Sequence, residues 1–199
     1  MTVVDASLYR FVNRLADRTS FAHPLFVAYA KYGVALFGLL LLVAWWQARR
    51  TDNRCSLAAV VWGGAGTLAA LGAGQIVGHV VDRARPYTAM PTAHLLITRT
   101  SDFSVPSDHA TAVGAVAAGL WLANRRFGSM AGVLALLMAF SRVYVGAHYP
   151  GDVIAGLVLG AGIVLVLWPL AGRVLRPSLR RLEPSPLAFL VTGMNMRSA

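Results

Sequence analysis

Charged side chains are scarce in this chain: Asp, Glu, Lys and Arg make up 13% of it, against 57% hydrophobic residues. With a mean hydropathy of +0.60, that scarcity excludes an ordinary soluble domain. A length of 199 residues excludes a string of many domains. One membrane-embedded unit is the class that remains. Cysteine is almost absent. Cys55 stands alone, which excludes an intramolecular disulfide and a cysteine metal cluster, and a lone thiol beside a basic loop reads as inert. Acidic residues are also few, 8 against 18 Lys and Arg, for a net charge of +10. In a soluble protein that excess would point to nucleic acid. Here most arginines lie between apolar runs, where anionic head groups and topology explain them, so no nucleic-acid partner is expected. The first twenty residues lack the unbroken apolar stretch and cleavage site of a signal peptide, since Asp5, Asn13 and Asp17 interrupt them.

Apolar runs, by contrast, are plentiful. They cover 25–46, 57–81, 107–123, 129–145 and 152–171. The third is shorter and starts polar. Glycines at 63, 64, 66, 72, 74 and 78 favour close helix packing in the second run, and Gly156 and Gly160 give the fifth a small-xxx-small spacing. Leu8, Phe11, Val12 and Leu15 fall at helical spacing before the first run, which predicts an amphipathic helix lying in the bilayer interface. The expected fold is therefore all-α: a polytopic membrane helical bundle of about five to six transmembrane helices with an N-terminal interfacial helix. The interfacial helix is expected over 1–22, the bundle over 23–172, and a cytoplasmic tail, interfacial or loose, over 173–199.

Arg49, Arg50 and Arg54, then Arg125 and Arg126, then Arg173, Arg176, Arg180 and Arg181 occupy alternate connections. With five spans these share one side, which the positive-inside rule makes cytoplasmic. The opposite side receives the two connections that carry polar constellations, 82–106 and 146–151. Arg10, Arg14 and Arg18 run mildly against this orientation, because five spans put the N-terminal helix on that outer side as well.

Three segments converge on the outer side: Asp82-Arg83-Ala84-Arg85-Pro86, Pro106-Ser107-Asp108-His109, and the stretch from Ser141-Arg142 through His148 to Asp152. Arginine, imidazole and carboxylate at membrane depth are expensive, so their clustering is itself a functional signal. Ser107 or Asp108 fits the N-cap of the following helix, and a helix N-terminus presents free N–H groups to an anion. His109 then lies in the first turn. Pro150 fits the first turn of the last span, with His148 before it and Asp152 within it. A carboxylate at that distance can accept the imidazole N–H and fix its tautomer. Arg142 supplies a fork for phosphate oxygens. No ligand spacing such as His-Glu-x-x-His is present, so neither metal nor cofactor is expected.

Together these motifs resemble the type-2 phosphatidic acid phosphatase superfamily, which carries Lys-x6-Arg-Pro, Pro-Ser-Gly-His and Ser-Arg-x5-His-x3-Asp on a bundle of membrane helices. The third motif matches at every defined position. The second reads Pro-Ser-Asp-His, with Asp108 at the usual glycine. The first keeps Arg85-Pro86, but its lysine position falls on Gly78. Pro-Ser-Asp-His, Arg-Pro-Tyr87 and Gly-x-His-Tyr-Pro-x-Asp-Val are most similar to the bacterial undecaprenyl-diphosphatase branch. That resemblance implies a polyprenyl diphosphate substrate and a bacterial cell (inner or plasma) membrane location, and the arginine distribution adds the expectation of an extracytoplasmic active site. It further implies a phosphohistidine on His148, oriented by Asp152, with His109 as acid and then base. Arg85, Ser107 and Arg142 would hold the phosphate. Arg83 is the nearest replacement for the missing lysine; Lys31 is another, with snorkelling to the interface as its plainer reading. Asp108 is expected either to favour the protonated form of His109, or to cap its helix or pair with an outer-loop arginine. Arg99 and Asp102 read as a solvated pair or as gate residues, and His23, His79 and His94 as interfacial. The alternatives within reach are a phosphatase of phosphatidic acid or phosphatidylglycerophosphate, and a non-catalytic lipid-binding relative.

Overall fold

The five apolar runs become five long helices. The structure, a computed structural model, describes residues 3–90 and 92–193, with no strand among them. The interfacial segment is α1 (Val3–Arg18), and the runs are α2 (His23–Arg50), α3 (Arg54–Val81), α5 (Asp108–Ala123), α6 (Arg125–Tyr144) and α7 (Pro150–Leu182). A single turn, α4 (Pro86–Ala89), interrupts the long connection after α3. Local chemistry sets the boundaries. Asn53 caps α3 by accepting from Ser56 N–H, and Asn124 caps α6 by accepting from Arg126 and Phe127 N–H. Asp152 does the same for α7, accepting from Tyr149 N–H at 2.9 Å.

Four helices are long and apolar enough to cross a membrane. The exception, α5, has 16 residues, which span about 24 Å at the helical rise. It can be short because protein rather than lipid surrounds it: α2, α3, α6 and α7 all pack against it, and every residue from Ala110 to Leu120 is buried. The outward faces of the other helices carry Leu39, Leu68, Val133, Leu136 and Val158, all well exposed, an apolar exterior suited to hydrocarbon. This is a multi-pass membrane protein.

Small residues decide how closely α7 approaches α5. A Cβ on Gly160 would stand 2.0 Å from the Thr111 carbonyl oxygen, and one on Gly156 would stand 2.7 Å from that of Ser107. The small-xxx-small pair is therefore the contact that seats the start of α5 beside the start of α7.

The arginine-rich ends share one side of the bundle. Ser56 Oγ donates to the Ala123 carbonyl at 2.8 Å, Arg54 meets Glu183 at 2.9 Å, and Arg49 donates to the Phe189 carbonyl. The connections 82–107 and 145–149 lie at the other end with α1. One boundary differs from expectation. Residues from Arg173 onward do not begin a loose end, because α7 continues to Leu182 through Pro169 and Pro177. Leu179 and Val191 pack against Ala48, Leu57 and Ala58, which holds that extension on the bundle. Residues 194–199 of the expected tail lie outside the described residues. α1 also shows a second face: Ala6, Tyr9, Asn13 and Ala16 are buried against protein, while Leu8, Phe11 and Leu15 point outward. Val12 packs inward.

Replacing Gly160 with valine should lower the thermal midpoint, with a loss of about 1–3 kcal/mol from overpacking. Gly162→Val, where a Cβ meets open space, should leave the midpoint nearly unchanged. Equal midpoints for the two variants would contradict this packing account.

Candidate active site

His148 lies in the tight connection between α6 and α7 and is 1% exposed. The connection can reverse there because Gly146 adopts a left-handed φ of +83°, and the His94 carbonyl occupies the place of a side chain. Both ring nitrogens of His148 are engaged. Nδ1 is 2.8 Å from the Ser104 carbonyl oxygen, which can only accept, so Nδ1 carries the proton. Nε2 faces Arg85 Nη1 at 3.1 Å and Arg142 Nη2 at 3.5 Å. Guanidiniums only donate, so Nε2 presents its lone pair to them. Burial, then Arg85, then Arg142 push this imidazole well below its ordinary pKa, against a weaker opposing pull from the Ser104 carbonyl. The ring is held neutral, in one tautomer, with Nε2 aimed between two cations.

Asp152 contributes differently from expectation. Its Oδ2 is 3.9 Å from His148 Nδ1, too far to take that proton. It accepts instead from Ser104 Oγ at 2.5 Å, Tyr149 N–H at 2.9 Å and Arg83 Nη1 at 2.6 Å. Asp152 thus connects to His148 through Ser104. The sequence did not single out Ser104, because a serine in a loop beside Ser101 and Ser107 carries no spacing signal.

The remaining expected residues divide into two sets. Arg85 and Arg142 meet Nε2, and Ser107 and His109 lie at the start of α5. Arg85 is anchored by the Ala147 carbonyl at 3.3 Å and by Asp102, whose carboxylate accepts from Nη2 at 2.7 Å and whose carbonyl accepts from Nε at 3.3 Å. Arg142 is anchored by the Ala30 carbonyl at 3.2 Å. Ser107 caps α5, and its N–H donates to the Asp152 carbonyl at 3.1 Å. Ser107 Oγ and Arg142 Nε are buried and lack a hydrogen-bond partner among the described residues, which leaves two donors for an incoming oxygen. His109, half-buried in the first turn of α5, lies within electrostatic reach of Arg142 and Arg85, and His148 within reach of His109. Two imidazoles and two guanidiniums therefore lie within electrostatic reach of one another.

Arg83 and Asp108 stand elsewhere. The Arg83 guanidinium is committed to Asp5 and Asp152 and stacks 4.0 Å from the Tyr149 ring centroid, so it braces the site from behind rather than replacing the missing lysine. Phe103 fills that lysine's place: a Cβ on Gly78 would come within 3.0 Å of its ring. Asp108 accepts from Gln75 Nε2 at 3.2 and 3.3 Å. It neither caps the helix nor pairs with an arginine among the described residues. Asp102 pairs with Arg85, while Arg99 lies over the Tyr87 ring. Lys31 lies near the Tyr32 ring. His23, His79 and His94 engage the Ala16 carbonyl, the Gln75 carbonyl and Asp17 respectively. Among the described residues no three His, Cys, Asp or Glu side chains are grouped to hold a metal ion. Nε2 faces two guanidiniums, groups suited to phosphate oxygens, and the start of α5 is tied to Asp152 of α7.

A family model described as the PAP2 superfamily matches residues 59–176. The chain is 32% identical over 161 residues to the bacitracin transport permease protein BcrC of Bacillus licheniformis, covering 80% of this chain and 77% of that one. It is 31% identical over 152 residues to undecaprenyl-diphosphatase BcrC of Bacillus subtilis strain 168, covering 76% of each. Its fold is similar to the crystal structure of the first transmembrane PAP2 type phosphatidylglycerolphosphate phosphatase from Bacillus subtilis. That match has a TM-score of 0.62 at 19% identity, over 87% of this chain and 89% of that one.

Two measurements check this electrostatic picture. Followed by NMR, the His148 ring should be neutral at pH 6.5, the ordinary histidine value, and take a proton only further into acid; a midpoint at or above that value contradicts the account. Asp102 is the second. Burial pushes its carboxyl up, but the hydrogen bond with Thr100 and the Arg85 charge outweigh that and hold it below its ordinary value. Its carboxylate is thus an anion resting on Arg85. Asp102→Asn should tighten vanadate binding about two- to fivefold, the scale of a half-exposed ion pair. Weaker binding would mean that Asp102 serves only to hold Arg85 in place.

Proposed function

The chain belongs to the PAP2 superfamily, and from that premise we propose that it is a lipid phosphatase acting on a polyprenyl diphosphate, undecaprenyl diphosphate or a near relative. It removes the terminal phosphate and returns the monophosphate carrier of cell-wall synthesis. The observation that carries the reading is the state of His148: a neutral imidazole whose Nε2 lone pair lies between two phosphate-binding guanidiniums.

In this mechanism Nε2 attacks the terminal phosphorus and the bond to the bridging oxygen breaks. Arg85, Arg142, Ser107 Oγ and the N-terminus of α5 hold the transferring oxygens, and such preorganised charge is usually the largest catalytic contribution. His109 protonates the departing lipid monophosphate. Positive charge that develops on the His148 ring is shared through Nδ1–H with the Ser104 carbonyl, whose residue is fixed by Asp152. In the second step His109 takes a proton from water, the water oxygen attacks phosphorus, the P–N bond breaks, and phosphate leaves with His148 restored. Two displacements replace one difficult hydrolysis. No metal or cofactor enters either step.

The substrate class rests on the Bacillus subtilis relative and on Pro-Ser-Asp-His in the second motif. The proposed orientation, with the site on the extracytoplasmic face of the bacterial cell membrane, is supported by the arginines at the end opposite the site. Purified protein should release phosphate from polyprenyl diphosphates with chelator in excess, and His148→Ala should lower that rate by about a thousandfold or more. Faster release from phosphatidic acid or phosphatidylglycerophosphate would overturn the substrate assignment. Unchanged release by His148→Ala would overturn the mechanism.

A further inference from the structure

The interfacial helix α1 reaches the back of the site through one carboxylate. Asp5 Oδ1 accepts from Gly151 N–H at 2.8 Å, in the first turn of α7, and Oδ2 accepts from Arg83 Nη2. The other end of the same guanidinium, Nη1, donates to Asp152 Oδ1 at 2.6 Å. The Arg83 carbonyl accepts from Ser104 N–H at 2.9 Å. Arg83 thus grips the two residues that set His148, Asp152 by its side chain and Ser104 by its backbone. Asp5 fixes the far edge of that guanidinium and the helix turn that carries Asp152. The Tyr149 ring lies against Arg83, and Tyr9 of α1 packs on Tyr149 with centroids 5.4 Å apart. Tyr9 and Asn13 tie α1 to the Gly146 carbonyl and the His94 backbone. Side chains of α1 therefore reach both connections that build the site.

We propose that Asp5 is a positioning residue for the phosphoryl-transfer step, acting through Arg83 on the Asp152–Ser104–His148 chain, so that α1 is a working part of the active site and not only a membrane anchor. The inference rests on His148 being the nucleophile. Physically, a planar guanidinium pinned at both edges has one orientation, whereas one hydrogen-bonded only to Asp152 can turn in its plane against the Tyr149 ring and carry that carboxylate with it. Ser104 Oγ would then lose its fixed acceptor, and the carbonyl that directs Nδ1 would move. Misplacement of a reacting group by about 1 Å costs on the order of 100-fold in rate. Among the described residues Asp5 meets Arg83 and Gly151 rather than Arg85, Arg142 or Ser107, so ground-state affinity should be untouched.

The test is a single-turnover experiment with a polyprenyl diphosphate radiolabelled in its terminal phosphate, read as covalent label on the protein. Asp5→Asn should slow the rate constant for label formation about 10- to 100-fold, with the label amplitude per mole of protein and the vanadate affinity unchanged. Asp5→Glu, which can still bridge, should recover part of the rate. Arg83→Lys, whose single ammonium cannot fork between two carboxylates, should be slowed like Asp5→Asn and stands in if that variant does not fold. An unchanged rate constant in Asp5→Asn overturns the proposal. So does a reduced amplitude with a normal rate constant, which would make α1 a stability element only. Wild-type protein that takes no label, or keeps its label in His148→Ala, would refute the nucleophile assignment instead, which separates the two failures.

Discussion

In the proposed mechanism His148, as a nucleophile that must meet an anion, faces a conflict. The cations that attract phosphate also oppose protonation of the ring, while the same ring must later carry positive charge. The structure resolves the conflict by dividing the imidazole between two environments. Nε2 looks toward Arg85 and Arg142, whose charge and the surrounding burial keep it unprotonated. Nδ1 looks toward the Ser104 carbonyl, a dipole that becomes more favourable as the ring gains charge. Asp152 behind Ser104, and Asp102 behind Arg85, hold those two faces in place.

Holding them requires close helix contact. Ser107 at the head of α5 donates its backbone N–H to the carbonyl of Asp152 in α7, which is possible only because Gly156 and Gly160 let the helices approach without intervening side chains. The backbones of Ser107 and Asp152 are thus joined by one hydrogen bond between two helix starts. Shortness of α5 has the same cause. Enclosed by four helices, it need not match the bilayer, and its polar first turn opens into the site rather than into lipid.

Much of this was legible in the sequence for reasons that are local. Apolar period and length marked the five helices, Pro150 marked the start of α7, and the spacing from Arg142 through His148 to Asp152 placed an anion clamp beside an imidazole. Long-range choices were not legible. That Ser104 rather than Asp152 takes the Nδ1 proton depends on where a motif-free loop crosses the α6–α7 connection. That Arg83 braces rather than binds depends on Asp5, 78 residues away in the chain. The missing lysine was visible as Gly78, but not that Phe103 closes its space. The helical extension past Arg173 was hidden by Pro177, which argues locally for an end that tertiary packing overrides.

The central claim concerns which nitrogen reacts, and it is open to direct measurement. Protein quenched in mid-turnover and analysed by phosphorus–nitrogen NMR should carry its phosphoryl group on Nε2 of His148. A phosphoryl group on Nδ1, or on His109, would contradict the arrangement described here, since Nδ1 could not hold both a phosphorus and the Ser104 carbonyl.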